Sequence, residues 1–473
     1  MPQSIGTILQ GSQSAVASSP NNVVNSSSLP QGSKERIAII DTLRGFAVLG
    51  ILLVNINWFG MPFQYNMNLN LHNEYTGPNY IGWWFVNAFF EGSQRAIFSM
   101  LFGASTILLI SKLEKRTGQL SPADVYYRRL MWLLIFGFVN AFMLLWPGDI
   151  LYSYALCGFF LFPFRNLQAK HLFVCGLALM ILSGTKSTRH LYLLKDMRSK
   201  GEFALQLEKK GGVLSEEQSA DRKNWVEYTD MNNTETLRKQ ANKQYSVLHK
   251  GYFEILKYYK VINEALETVN FYNNDFWDIL AFFFIGMAFF KWNILSGDRS
   301  PGFYWVMLIL GYTVGLTLAY LLIHADIATR FDDSKLADII HVDFYQEKRL
   351  FMAMGHLAVV MLMYKYHIAD RLLRIFSNVG RMTLTNYLMQ SIICSMIFYG
   401  YGFKMFGMLQ RYQLYYVVVC IWIFQVVFSN IWLKHFKFGP FEWLWRSLTY
   451  WKKQPMKREQ EILVNPNLAG NLV

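Results

Sequence analysis

The apolar residues of this 473-residue chain gather into blocks of about 17 to 25, the length a helix needs to cross a hydrocarbon core ~30 Å thick. That spacing makes the chain an all-α, polytopic membrane protein. Composition agrees. Hydrophobic residues make up 53% of the chain and aromatics 17%, while only 16% are charged, against about 25% in soluble domains. A disordered protein, a collagen-like fibre and a small disulfide-stapled domain are excluded.

Ten spans are expected, at about 37–57, 81–110, 129–146, 150–165, 169–185, 274–291, 303–323, 349–366, 380–401 and 413–433. The second is long enough to contain a break around Glu91–Gly92. The chain then divides into a polar, disordered N-terminal tail (1–35), a first membrane half (36–185), an insertion (186–272), a second membrane half (273–451) and a C-terminal tail (452–473). The insertion carries amphipathic patterning over about 222–268. It reads equally as a cap on the outer membrane face and as a solvated helical segment.

The net charge of +13, from 45 Lys+Arg against 32 Asp+Glu, fits the positive-inside rule better than a nucleic-acid partner. With the N-terminus inside, Lys112, Lys115, Arg116, Arg128, Arg165, Lys291, Arg371 and the cluster from Lys434 to Arg458 fall on the cytoplasmic side. The loop 58–80 and the turn Trp146–Asp149 carry no Lys or Arg. Both termini are therefore expected in the cytoplasm, in a multi-pass protein of the cell (inner) membrane. The four cysteines lie inside apolar blocks without metal spacing, so no metal site is expected.

Ionisable groups inside spans are costly and usually face an interior or a water-filled cavity. Asp41, Arg44 and Asn55 share one face of the first span, Asp41 and Arg44 being about 60° apart. An interfacial, snorkelling ion pair is the alternative for the first two. Glu91 and Arg95 are spaced i, i+4 and suit either a site or a structural pair. Arg349 and His356 share a face of the eighth span, where a neutral imidazole suits a general base or a helix-to-helix hydrogen bond. Thr383, Asn386 and Gln390, with Cys394, form a polar stripe that either glues helices or lines a cavity. Asp149, in WPGDI, is placed to cap the next helix, and Asn140 precedes it in FGFVNA. No GxSxG, Walker A or HExxH motif is present.

RIAIIDTLRGFAVLGILLVN, RAIFSMLFGAS, the long RRLMWLLIFGFVNAFMLLWPGDILYSYALCGFFLFPFR block and FGPFEWLWRSLTYWK resemble the YeiB-like bacterial membrane proteins, a family defined by the domain of unknown function 418. The first span, with Asp41-Thr42-x-Arg44-Gly45 and Val54-Asn55, is similar to that of transmembrane acyltransferases, including heparan-α-glucosaminide N-acetyltransferase. The resemblance implies an acyltransferase-like helical bundle that takes acyl groups from cytoplasmic acyl-CoA to an extracytoplasmic acceptor. Arg44, with Asp41 and Arg95, would then meet the anionic donor, and Asn55 would lie near the transfer point. The pattern departs where the N-acetyltransferase has its active histidine, because Asn66 stands there and His72 comes six residues later. His72 and His356 are thus the candidate bases. Glu91, Asn140, Asp149, Arg349, Thr383, Asn386 and Gln390 are expected to line the interior. A small-solute transporter is the rival reading, and a scaffold without chemistry the third.

Overall fold

The computed structural model describes residues 31–115 and 120–458, with side chains from residue 38, and every long element among them is helical. Most of the expected N-terminal tail, Arg116 and residues 459–473 lie outside the described residues. The first part runs α1 (Gln31–Gly60), α2 (Phe63–Met67), α3 (Gly77–Phe89), α4 (Ser93–Glu114), α5 (Pro122–Phe138) and α6 (Leu151–Phe159). Then follow α7 (Ala169–Lys209), α8 (Glu216–Asn232), α9 (Thr234–Leu248), α10 (Tyr252–Ala265) and α11 (Phe276–Lys291). The last part holds α12 (Pro301–Ala328), α13 (Asp333–Leu336), α14 (Tyr345–Lys365), α15 (Asp370–Arg381), α16 (Thr383–Phe398), α17 (Arg411–His435) and α18 (Pro440–Tyr450).

Among the described residues, five segments are long and apolar enough to cross a bilayer: Ala38–Gly60, Gly77–Glu114, Ala169–Lys209, Pro301–Ala328 and Arg411–His435. α12 and α17 turn apolar flanks outward, with Ile309 58% and Ile423 60% exposed. Water penalises such stripes and lipid solvates them. The other five expected spans coincide with α5, α6, α11, α14 and α16, which are shorter or more polar. The block at 150–165 shrinks to nine helical residues and a 3₁₀ turn at Phe162–Asn166. Proline in that turn ends the regular helix, and Gly158 lets it pack closely on Leu130.

The expected boundary at residue 185 is not a break. α7 runs for 41 residues from its apolar half into the polar insertion. The insertion returns just as smoothly, since α10 continues through a π-helical stretch (Leu266–Asp275) into α11. Between these two supports, α9 seats on α2, where the Phe63 amide donates to Gln244 Oε1 at 2.9 Å.

α1 is the central post, packed by α4, α15, α16 and α17. Its tightest crossing is with α15. A Cβ at Gly380 would lie 1.7 Å from the Asp41 carbonyl oxygen, and one at Gly45 would lie 2.0 Å from that of Phe376. Backbones meet there only because both residues lack side chains. The second span breaks between Phe89 and Ser93, where Gly92 takes φ 72° and leaves room for the Arg349 side chain.

Candidate functional site

Asp41 and Asn57 stand sixteen residues apart on α1, about 24 Å of helix. Each opens onto its own cavity. Asp41 and Arg44 line one of about 590 Å³, and Asn57 lines another of about 1480 Å³ beneath the insertion.

The Arg44 cavity combines basic and apolar lining. Arg44, Lys112, Arg129, Arg381, Lys437 and Arg446 line it against two acids, Asp41 and Glu442. Leu101, Phe102, Leu130, Leu133 and Leu151 form its apolar walls. Arg44 donates to Asp41 Oδ1 at 2.7 Å and to Ser105 Oγ at 2.5 Å, which fixes the guanidinium between α1 and α4. α18 forms the floor. Gly439 and Pro440 start that helix at its N-terminus, and Glu442 accepts from the Thr385 amide at 2.9 Å and from its hydroxyl at 2.5 Å. One carboxylate thereby caps α16 and pins α18. Trp445 donates to the Arg129 carbonyl at 2.9 Å, and the Arg129 guanidinium lies 3.6 Å over the Trp445 ring. Burial pushes the Glu442 carboxyl above its ordinary range.

Tyr154 and Tyr387 close the deep end. The Tyr154 and Ser99 hydroxyls share a 2.5 Å hydrogen bond, and Tyr154 donates to the Arg95 carbonyl at 3.2 Å. Beyond them lies an ionic layer. Arg95 reaches Asp278 at 3.0 Å and Asp275 at 3.3 Å, and the fully buried Arg349 holds the other Asp278 oxygen. Arg349 also donates to Gln346 Oε1 at 2.9 Å and to the Gly92 carbonyl at 3.1 Å. Glu91 accepts from Lys348 and from the Tyr345 hydroxyl, each at 2.7 Å, and these three residues line the larger cavity. Glu91, in the break before α4, and Arg95 and Ser99, on successive turns of α4, thus lie between the two cavities.

The structure sorts the expected residues. Asp41, Arg44 and Thr383 meet at the smaller cavity, and Glu91 lines the larger. The expected Glu91–Arg95 pair does not form, because each side chain finds a counter-ion on another helix. Asn140 and Asp149 are joined, Nδ2 donating to Oδ1 at 2.8 Å, and Asp149 caps α6 through the Tyr152 amide at 2.9 Å. Asn386 and Gln390 act as glue: Asn386 donates to Ser429 at 3.0 Å, and Gln390 to Gln425 and the Val48 carbonyl at 3.1 Å each. Asn55 is half-buried and lines neither cavity, whereas Asn57 lines the larger. His356 has both ring nitrogens engaged, by the Tyr312 hydroxyl at 2.9 Å and the Phe89 carbonyl at 2.8 Å, so it ties α12 and α3 to α14 instead of facing either cavity. His72 packs edge-on against Tyr65 at 3.9 Å, and burial lowers its basicity.

Sequence reasoning passed over Asp278, an acid inside an apolar block that the rule used for Arg95 also marks. It also passed over Arg129 and Arg381 as members of one site, for which spacing carries no signal. Asp149 faces Glu267 across the π-helical stretch. Burial and mutual repulsion push Glu267 up to about 9, and burial pushes Asp149 up to about 7.

Residues 289–452 match the family described as "Protein of unknown function (DUF418)". That stretch supplies Arg381, Lys437, Glu442 and Arg446 to the smaller cavity. The chain is 29% identical over 448 residues to the "Uncharacterized protein YxaH" of Bacillus subtilis (strain 168), covering 92% of this chain and 100% of that protein. It is 28% identical over 423 residues to the "Uncharacterized protein YeiB" of Escherichia coli (strain K12), covering 88% and 96%. No solved structure matches the chain.

Proposed function

The chain belongs to the YeiB-like DUF418 family, and from that premise we propose that it is a membrane acyltransferase using acyl-CoA from the cytoplasm. One observation carries the reading: the Arg44 cavity combines six basic side chains with apolar walls. Phosphate groups call for guanidinium and ammonium partners, and an acyl chain calls for the Leu, Phe and Tyr walls behind them. Arg44 and Arg129 would hold the phosphates, with Asp41 fixing Arg44, while the thioester points toward Tyr154 and the Ser99 hydroxyl. The acceptor's O–H or N–H attacks the thioester carbonyl, the C–S bond breaks, and the proton passes to the departing thiolate. An extracytoplasmic acceptor would enter the larger cavity. Basic residues around the Arg44 cavity support a cytoplasmic position for that face by the positive-inside rule, and the same reading puts both termini there with ten spans in the cell membrane. The acyltransferase-like first span supports the same assignment.

Purified protein in nanodiscs should bind acetyl-CoA or a longer acyl-CoA saturably. Arg44→Ala should weaken that binding by about tenfold, the loss of one charge-assisted contact. Wild-type protein that shows no saturable binding ends the proposal. A small-solute transporter is the second reading, favoured by two cavities at opposite ends of α1 with one ionic layer between them. Solute flux into proteoliposomes without acylated product would select it.

A further inference from the structure

In a chain of net charge +13, the larger cavity is acidic. Six carboxylates line it against three basic side chains. Glu91 is neutralised by Lys348, and Asp332 by Lys335 at 2.8 Å. Glu202, Asp326, Asp333 and Asp343 make no ion pair among the described residues, and Arg330 is the one remaining base in the lining.

A second observation sets the kind of group these acids face. Asn57 is 4% exposed, and its Nδ2 donates to the Tyr415 hydroxyl at 3.4 Å, while its Oδ1 has no partner. Gln64 repeats the pattern: its Nε2 donates to Gln240 at 3.0 Å, and its Oε1 is buried and unpartnered. In both amides the nitrogen has a partner and the oxygen is left over, at a cost of about 1–3 kcal/mol for each buried orphan. Both residues line this cavity. The lining therefore carries an excess of negative charge and two buried acceptors without partners. Trp58, Trp83 and Trp225 add aromatic surface that attracts cations. An alkylammonium group has three donors and no acceptor, the complement of such a lining.

We propose that this cavity binds a donor-rich organic cation of the diamine or polyamine class, through the Asp326 and Asp333 carboxylates and the Asn57 and Gln64 amide oxygens. A neutral polyol fits less well, because it brings no charge to balance the carboxylates that lack an ion-pair partner. With about 1480 Å³, the cavity has room for a chain bearing more than one ammonium group. Burial holds the Asp333 and Asp343 carboxyls above their ordinary range, as expected for acids awaiting a counter-ion. The proposal concerns binding and rests on neither acyl transfer nor transport. If acyl transfer holds as well, the amine is the acceptor.

Calorimetry on the full chain in nanodiscs tests it, with 1,6-diaminohexane as probe and 1,6-hexanediol as the neutral match. The diamine should saturate and the diol should not. Asp326→Asn and Asp333→Asn should each weaken diamine binding by about tenfold. Arg330→Gln, at an exposed position, should strengthen it and leaves the acids themselves unchanged. Diol binding equal to diamine binding, diamine binding without saturation, or an unchanged affinity in folded Asp333→Asn protein together with Arg330→Gln would overturn the proposal. Acyl-CoA binding, followed on the same samples, reads the other cavity separately: Arg44→Ala should lose the acyl-CoA and keep the diamine.

Discussion

Gly380→Ala puts the crossing of α1 and α15 to a direct test. The added methyl would sit 1.7 Å from the Asp41 carbonyl oxygen and 2.7 Å from both the Asp41 carbonyl carbon and the Gly45 nitrogen. Ordinary carbon contacts are about 3.5–4.0 Å, so the helices must part by roughly 1.5–2 Å. All three neighbours are backbone, and none can swing aside. Overpacking costs typically about 1–3 kcal/mol where side chains absorb it, so about 3 kcal/mol is a lower estimate here. With unfolding entropy near 2.1 cal/mol/K per residue, a chain of this length should melt about 3 °C lower. Size-exclusion profiles after stepwise heating in detergent measure that shift. The same displacement moves Asp41, Arg44 and Arg381 around one cavity, so acyl-CoA affinity should fall in protein that remains folded. Gly45→Ala should do likewise, and the double variant should cost less than the sum because the same gap opens once. Gly380→Ala protein with wild-type melting and wild-type affinity would refute the crossing as described.

The ionic layer and the buried acids give two further tests. Arg349→Met leaves Asp278 with Arg95 as its counter-ion and should destabilise by about 3–5 kcal/mol, visible as a lost folded peak in size exclusion. A normal yield and melting temperature would show that the layer tolerates an unmatched charge. For Asp149 and Glu267, the folded state holds its protons more tightly than the unfolded chain does. Their contribution to stability is present below the ordinary carboxylate range and is lost as pH rises through about 7 and then about 9. The melting temperature should therefore fall between pH 6 and 9, and Asp149→Asn with Glu267→Gln should flatten the fall. A melting temperature that climbs over this range in the wild type alone contradicts the assignment.

Much of the helix inventory was legible in apolar block length, and the Asp41–Arg44 contact followed from a three-residue spacing on one helix. Partners on other helices were not legible. Glu91 and Arg95 look like a pair in sequence, yet Lys348 and Asp278 approach from α14 and α11, and only packing reveals that. The Asn386–Gln390 stripe was visible as polar, but its use as glue depends on Ser429 and Gln425 facing it across α17. Four of the six acids of the larger cavity sit at the end of α12 and in the segment between it and α14, where hydropathy marks only a loop. Hydropathy also misplaced one boundary for a physical reason. It records where apolar surface stops, whereas a helix continues as long as its backbone hydrogen bonds are undisturbed, as α7 does past residue 185.

That unbroken helix has a mechanical consequence. At 1.5 Å per residue α7 is about 60 Å long, a stiff rod with one end among the bundle helices and the other beneath α8. Gly201 admits the Trp225 side chain so closely that a Cβ would lie 2.1 Å from the Trp225 Cβ, so rod and cap are clamped together. Tilting the base by only about 5° would carry the far end through roughly 5 Å, given that length. A small repacking around α11 would therefore reach Trp225 and Tyr228 as a lever stroke, moving a wall of the larger cavity that both residues line.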